Sequence, residues 1–149
     1  MPKRTANARW DGSLQDGQGT MHMKSGSYEG PYSFMSRFQE GDGTNPEELI
    51  AAAHAGCFSM ALSADLGRAG YTVASVETEA TVHLDMVDSV PTINAIELNT
   101  RARVADIDDA EFQRIAGEAK KNCPVSRALA AVPTINLHCL LYTSDAADE

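Results

Sequence analysis

The chain has 149 residues, of which 43% are hydrophobic and 22% are charged. This length suits a single domain that buries its own core without the help of disulfides or structural metals. The 21 acidic residues outnumber the 12 basic ones, for a net charge of −9. Such an acidic excess excludes nucleic acid and anionic membrane surfaces as electrostatic partners.

Strands and turns are predicted for residues 1–44. The Asp11-Gly12 pair and the glycine-rich stretch 17–19 are typical of turns. Between Tyr32 and Phe38 the aromatic residues share one side of an alternating pattern, which indicates a half-buried strand. Arg37 lies on this predicted strand.

A long helix is predicted from Asn45 to Gly70, with a length of roughly 36 Å. Asn45 suits the N-cap, Pro46 suits the first helical position, and Gly70 suits the end. Large apolar residues, separated by six alanines, surround most of its circumference: Leu49, Ile50, Phe58, Met60, Leu62 and Leu66. Because one small sheet covers only one side of such a helix, we expect the other side to pack against a second copy in a homodimer.

The apolar stretches indicate neither secretion nor membrane insertion. The basic residues Lys3 and Arg4 are not followed by the apolar run, about 7–15 residues long, of a signal peptide. The most apolar window, Leu49–Leu66, contains His54 and Asp65 and lacks the roughly 18 uninterrupted apolar residues of a membrane span. We therefore expect a soluble cytoplasmic protein with reduced cysteines.

A β-hairpin and a second helix are predicted next. Val73–Val87 and Thr92–Val104 alternate between apolar and polar residues, and a turn-forming stretch separates them. The second helix begins at Asp108 or Asp109 and ends near Asn122, because a proline follows two residues later.

The last predicted strand is Thr134–His138, and the composition changes abruptly after it. Residues 139–149 turn into an acidic tail of small residues where a strand should finish. We therefore predict one domain over residues 1–138, followed by a non-native or disordered tail over residues 139–149.

The three cysteines, Cys57, Cys123 and Cys139, include no closely spaced pair, which argues against a disulfide scaffold, a zinc finger or an iron–sulfur site. Each taken alone is most often a small buried hydrophobe. Cys57 lies about three turns into the long helix, where the helix dipole no longer lowers a thiol pKa. A reactive thiolate there needs a cation from another element. Arg37 is the candidate, although it can equally be a solvated strand residue.

Other candidate residues also have two interpretations. Cys123, at a helix end before a proline, suits either a resolving thiol or a residue without chemistry. Glu47 complements the positive helix N-terminus whether or not it has another role. His54 and Cys57 share one helical face, but no second closely spaced pair completes a metal site, so we predict neither a metal nor a cofactor.

Two motifs together resemble a known family. The run Gly43–Ala61 (GTNPEELIAAAHAGCFSMA) and the pentapeptide Asn122–Ser126 (NCPVS) are similar to the OsmC/Ohr family of thiol-dependent peroxidases. The Tyr-x-Phe-x-x-Arg-Phe segment that ends at Phe38 resembles the OsmC (osmotically inducible protein C) branch. The resemblance covers about residues 4–138 and stops at Cys139.

This resemblance implies an α+β, OsmC-like fold in which antiparallel sheets flank long central helices. It also implies an intertwined homodimer with sites at the subunit interface, and reduction of organic hydroperoxides to alcohols. Cys57 matches the family's peroxidatic cysteine and Cys123 its resolving cysteine. Arg37 matches the arginine that contacts the reactive thiol, and Glu47 the glutamate that pairs with it.

The residue types suit this chemistry. The Arg37 guanidinium would favour the Cys57 thiolate and donate to peroxide oxygens, while Glu47 would hold it through a bidentate pair. A sulfenic acid on Cys57 would condense with Cys123 to a disulfide. A dithiol or, as the family implies, a lipoyl-bearing protein would then reduce that disulfide.

Spacing along the helix gives a separate reason to expect a dimer. Glu47 and Cys57 lie ten residues apart, about 15 Å along the axis, which is too far for one compact site within a single subunit. We expect Phe58 and Met60 to line an apolar pocket near the thiol, which favours organic peroxides. Two alternatives remain: a non-enzymatic thiol redox switch or stress-binding module, and an interaction protein with inert cysteines. Neither requires an oriented guanidinium.

Overall fold

A computed structural model describes residues 1–143 of the chain. The elements in order are β1 (Ala6–Asp11), β2 (Gln18–Met23), β3 (Glu29–Tyr32), α1 (Phe34–Phe38), α2 (Pro46–Arg68), β4 (Val73–Val87), β5 (Val90–Val104), α3 (Asp109–Asn122), α4 (Pro124–Ala128) and β6 (Thr134–Tyr142). They form two compact units that divide between Leu49 and Ile50. The mixture of helices and separate sheets confirms the predicted α+β class.

The first unit contains an antiparallel sheet with the strand order β1-β2-β3. The rings of Trp10 and Tyr32 lie 5.4 Å apart, centroid to centroid, on this sheet. Gly19 lies beneath them, and a Cβ atom there would approach ring atoms of Tyr32 and Trp10 to 2.5 and 2.7 Å. Only glycine therefore fits at this position of β2.

The predicted strand over Tyr32–Phe38 is wrong beyond Tyr32, because Phe34–Phe38 forms the helix α1. Ser33 and Ser36 form a reciprocal capping box, in which each side chain accepts from the other residue's backbone N–H at 3.1 and 2.8 Å. This cap outweighs the alternating pattern. Phe34 and Phe38 stack one helical turn apart, at 5.1 Å. Arg37 consequently lies in the last turn of a short helix.

Helix α2 confirms the predicted long helix and its boundaries. The Asn45 side chain accepts a 2.7 Å hydrogen bond from the backbone N–H of Glu48, and Gly70 adopts φ 94° just beyond the end. Its inward face carries Phe58, Leu62 and Leu66, all with no exposed surface.

The opposite face of α2 is exposed and carries small residues and one methionine, namely Ala52, Ala53, Gly56, Met60, Ala64 and Gly67. By length and composition alone, α2 is apolar enough to cross a membrane. Its inward face packs into the protein core instead, which indicates the core helix of a soluble protein.

The second unit contains a sheet with the order β4-β5-β6. Strands β4 and β5 form the predicted hairpin, but its turn is only Asp88-Ser89, both at positive φ, so β5 starts at Val90 rather than Thr92. Strand β6 pairs parallel to β5, which departs from the all-antiparallel expectation. The parallel pairing follows from the intervening helices α3 and α4, which carry the chain back across the sheet.

Helix α3 matches its prediction closely. Asp108 is the N-cap and accepts a 2.8 Å hydrogen bond from the Glu111 backbone N–H. The helix ends at Asn122, and Cys123 joins it directly to α4. Its buried face packs into the core with α2 and the sheet through Phe112, Ile115, Ala116 and Ala119.

The predicted strand Thr134–His138 ends four residues too early, because β6 continues to Tyr142 in register with β5. Cys139 and Leu141 pack against the hydrophobic core, and the Gln113 side chain donates a 2.9 Å hydrogen bond to the Cys139 carbonyl. Sheet pairing and packing thus include the first four residues of the proposed tail. The last six residues, 144–149, lie outside the described residues.

Truncation tests where the folded part ends. A chain that stops after His138 loses the packing of Cys139 and Leu141, so we expect its unfolding free energy to fall by about 2 kcal/mol or more in urea titrations. A chain that stops after Thr143 keeps all of β6 and serves as the reference. Equal stabilities of the two truncated chains would contradict the packing of Cys139 and Leu141 against the core.

Candidate active site

Arg37 and Glu47 form a bidentate ion pair within the first unit. Arg37 donates from Nε to Glu47 Oε1 at 3.0 Å and from Nη2 to Oε2 at 2.9 Å. The Glu47 side chain is 10% exposed and that of Arg37 is 37% exposed. The guanidinium is therefore fixed on one edge by a nearly buried carboxylate while part of it stays accessible. The structure places these two residues together as the resemblance implies.

Serine and asparagine side chains tie α1 to the start of α2. The Ser36 hydroxyl donates to the Thr44 carbonyl at 2.7 Å, and the Asn45 amide donates to the Ser36 carbonyl at 2.9 Å. These bonds hold the last turn of α1, which carries Arg37, beside the first turn of α2, which carries Glu47. This link is not apparent from the sequence, because the alternating pattern places Ser33 and Ser36 on a predicted strand.

Cys57 and Cys123 meet within the second unit. Cys57 lies in the middle of α2, and Cys123 lies between α3 and α4, with their Sγ atoms 2.9 Å apart. Both are free thiols; Cys57 is partly exposed, whereas Cys123 has no exposed surface. The two cysteines paired by the resemblance are therefore neighbours, and only Cys57 is open to an incoming molecule.

The surroundings of Cys57 include groups that raise the pKa of its thiol and one that lowers it. Burial raises the Cys57 pKa, and so do the hydrogen bond shared with the Cys123 thiol and the negative charge that Cys123 carries when it is ionised, whereas a hydrogen bond from the Val125 backbone N–H lowers it. The net result is a raised pKa, and no cation is among these causes. The thiol pair alone does not produce a thiolate at neutral pH.

His54 has a role that the sequence did not reveal. Its Nε2 and the Ser126 Oγ lie 2.7 Å apart in a hydrogen bond, and both residues are buried. Burial lowers the pKa of His54, so its imidazole is neutral. The spacing of His54 and Cys57 in the sequence suggests only a possible metal ligand. Within residues 1–143 no group of three or more His, Cys, Asp or Glu residues is placed to hold a metal ion.

Three further residues from the sequence predictions differ in their surroundings: Cys139 is unreactive, Phe58 is buried and Met60 is exposed. Burial raises the pKa of Cys139 to about 11, partly offset by a hydrogen bond from Thr100, so this thiol is protonated and unreactive at neutral pH. Phe58 has no exposed surface, so the expectation that it lines an open pocket is wrong. It points into the core because it shares the inward face with Leu62. Met60 is 75% exposed.

The comparisons with known proteins agree on one family. Residues 39–138 match the family of OsmC-like proteins. That range includes Glu47, Cys57 and Cys123, and it begins two residues after Arg37. The chain is 46% identical to Peroxiredoxin OsmC of Escherichia coli (strain K12) over 134 residues, which cover 89% of this chain and 94% of that protein.

Two further matches are more distant. The chain is 34% identical over 89 residues to an organic hydroperoxide resistance protein of Xanthomonas axonopodis pv. citri (strain 306), which covers 59% of this chain and 61% of that protein. The crystal structure of an OsmC-like protein from Mycoplasma pneumoniae superposes with a TM-score of 0.73 at 15% identity, covering 95% of this chain and 98% of that one. The latter similarity concerns the fold alone.

The buried imidazole predicts a loss of stability in acid. Because the His54 pKa is lowered by folding from its ordinary value of 6.5, the unfolded chain takes up a proton first as the pH falls below 6.5. The contribution of His54 is therefore complete above pH 6.5 and is lost progressively below it. Between about pH 7.5 and 5.5, we expect the unfolding free energy of wild type to fall by about 1 kcal/mol more than that of His54→Gln.

The control for this urea titration is Asn136→Gln, which changes an exposed amide on β6 and leaves every histidine in place. It should show the pH dependence of wild type. An equal pH dependence of His54→Gln and wild type would contradict the assignment.

Proposed function

Because the chain belongs to the OsmC-like family, we propose that it is a thiol-dependent peroxidase that reduces organic hydroperoxides to alcohols. The contact between Cys57 and Cys123 carries this proposal, since it joins a partly exposed thiol to a buried one at 2.9 Å. The names of two relatives, a peroxiredoxin and an organic hydroperoxide resistance protein, support the reaction class.

The first step is attack of the Cys57 thiolate on the outer oxygen of the hydroperoxide. The O–O bond breaks, Cys57 is oxidised to a sulfenic acid, and the inner oxygen leaves as an alkoxide that takes a proton to become the alcohol. Cys57 suits this role because it is the accessible member of the pair. Its position in the middle of a 23-residue helix also fixes the direction of the sulfur.

The second step joins the two cysteines. The Cys123 thiol attacks the Cys57 sulfenic sulfur, a disulfide forms, and the hydroxyl leaves with a proton as water. Cys123 has no exposed surface, which protects its thiol from the peroxide itself. An external dithiol, or a lipoyl-bearing protein, then takes the two oxidising equivalents and restores both thiols. We expect this cycle in the cytoplasm, where thiol reductants are abundant.

Arg37 supplies the cation that the first step needs. Burial and Cys123 raise the Cys57 pKa, so a guanidinium near the sulfur is required to favour the thiolate and to stabilise the departing alkoxide. Glu47 is the positioning residue, because its bidentate bond fixes the plane of the guanidinium. A thiol redox switch without turnover does not need an oriented guanidinium beside its sulfur.

A homodimer with shared sites follows from the same requirement. Glu47 and Cys57 are separated by ten residues of α2, or about 15 Å of helical rise. The Arg37–Glu47 pair therefore serves Cys57 of a second subunit. The exposed face of α2, with small residues around Met60, offers a surface on which two such helices can approach closely. This apolar surface also favours a peroxide with a carbon chain over hydrogen peroxide.

The cysteine variants test the order of steps. We expect Cys57→Ser to abolish peroxide consumption, and Cys123→Ser to lose activity over repeated turnovers as its unresolved sulfenic acid is oxidised further. The control Cys139→Ser should keep wild-type turnover because this thiol is outside the pair. With dithiothreitol as reductant, kcat/KM for cumene hydroperoxide should exceed that for hydrogen peroxide at least about tenfold. Unchanged consumption in Cys57→Ser would contradict the proposed mechanism.

The arginine is tested by its effect on both rate and titration. Arg37→Ala should lower kcat/KM about 10²–10³-fold, the usual cost of removing a donor to a developing oxyanion. It should also shift the pH dependence of Cys57 alkylation to higher pH. The matched control is Arg9→Ala, which removes an exposed arginine paired with Asp11. A wild-type alkylation profile in Arg37→Ala would rule out the cation role.

A further inference from the structure

Two polar contacts connect helix α2 to the segment that carries α4. Cys57 meets Cys123, and His54, three residues earlier on α2, meets Ser126, three residues later in the chain. The contact partner of the earlier residue on α2 is thus the later residue of the α4 segment, so the two segments run antiparallel. Residues three apart lie on the same helical face, so the His54–Ser126 bond lies about one turn from the thiol pair.

Both partners of the His54–Ser126 bond are buried. His54 has no exposed surface and Ser126 is 8% exposed. Among the described residues, His54 Nδ1 has no hydrogen-bond partner. Burying these groups costs desolvation that apolar side chains would not incur. A directional bond in such surroundings fixes one relative position of two elements more strictly than apolar contacts do.

Helix α4 is short, and the bond to His54 is one of the contacts that hold it. The helix has five residues, Pro124–Ala128, and Ser126 is its buried residue. Cys123 is the N-cap of α4, and the Val125 backbone N–H donates to the Cys57 sulfur. A shift of α4 away from α2 would therefore withdraw the resolving thiol and this N–H donor together.

We infer that the His54–Ser126 hydrogen bond is a positioning device for disulfide formation, which holds Cys123 beside Cys57 after the peroxide has reacted. This inference rests on the proposed peroxidase function. His54 and Ser126 touch neither the peroxide nor the reacting sulfur atoms in this scheme, so both are positioning residues.

The bond decides between two fates of the oxidised Cys57. In the productive one, the Cys123 thiol attacks the sulfenic sulfur, the S–S bond forms, and the hydroxyl leaves with the thiol proton as water. In the other, a second hydroperoxide transfers an oxygen to the sulfenic acid, giving a sulfinic acid and one alcohol, and the enzyme is inactivated. A displaced Cys123 slows only the first fate.

A direct role of His54 as a base predicts a different pattern. A base at position 54 would act without Ser126, so Ser126→Ala would be nearly neutral while His54→Gln would be impaired. A positioning bond predicts the same defect in both variants, because each one removes the same contact. The two variants together therefore separate the roles.

The experiment follows the two steps separately in the full-length protein. Wild type, Ser126→Ala and His54→Gln are mixed with one equivalent of cumene hydroperoxide and quenched over time. Dimedone labelling and intact mass give the sulfenic acid, the disulfide and the sulfinic acid. The control Ser59→Ala removes a serine hydroxyl from the same helix, but one that bonds to Thr78 on the sheet. Ser126→Thr restores a hydroxyl, and circular dichroism verifies folding of each variant.

We expect disulfide formation to slow about tenfold in Ser126→Ala and His54→Gln, with sulfenic acid formation within about threefold of wild type. The first step changes little because α4 brings both the Cys123 thiol, which raises the Cys57 pKa, and the Val125 N–H, which lowers it. The peroxide concentration that half-inactivates the enzyme in turnover should fall by a similar factor. Ser59→Ala should resemble wild type, and Ser126→Thr should recover at least part of the rate.

Disulfide formation at the wild-type rate in Ser126→Ala, or an equal defect in Ser59→Ala, would overturn the positioning role while leaving the peroxidase function intact. If His54→Gln alone is slowed, the base interpretation replaces it. If wild type forms no sulfenic acid at all, both this inference and the proposed function fail. Should Ser126→Ala not fold, the same comparison of the two steps is made between His54→Gln and Ser59→Ala.

Discussion

The protonation state of Cys57 constrains every other part of this site. Attack on a peroxide requires a thiolate, whereas burial and the neighbouring Cys123 thiol both raise the Cys57 pKa. The position in the middle of α2 offers no help from the helix dipole, and the Val125 N–H opposes the shift only in part. A cation must therefore be supplied, and in our proposal it is Arg37, whose guanidinium Glu47 holds in a fixed plane.

Helix α2 organises the chemistry by carrying four functions at separate positions. Its first turn holds Glu47, its middle holds Cys57, its neighbouring turn holds His54, and its inward face forms the core. The accessible Cys57 sulfur is thus attached to a 23-residue helix, while Cys123 precedes a five-residue helix that contacts α2 through Ser126. In our proposal the accessible thiol reacts first and the buried thiol completes the cycle.

Much of the fold could be predicted from local signals. The caps at Asn45 and Asp108, the alternation of β5 and the proline after Cys123 marked the main elements. The strand predicted over Tyr32–Phe38 failed because a serine capping box outweighs alternation over a short segment. The end of β6 was misjudged because composition changes earlier than pairing does.

Some residues of the candidate site can be identified from local sequence motifs, whereas others are recognised only from the tertiary structure. The motif identified Arg37, Glu47, Cys57 and Cys123, and the structure brings them together as two pairs. The His54–Ser126 bond joins residues 72 positions apart, so no spacing in the sequence could indicate it.

The most direct test of the central claim, that Arg37 serves Cys57 of the other subunit, is co-expression of Arg37→Ala with Cys57→Ser. Each variant alone should be nearly inactive, and the co-expressed sample should regain roughly one quarter of wild-type activity at random pairing, because about half of the dimers are mixed and each of these contains one intact site of two. Mixed dimers that stay as inactive as the two parents would contradict the account.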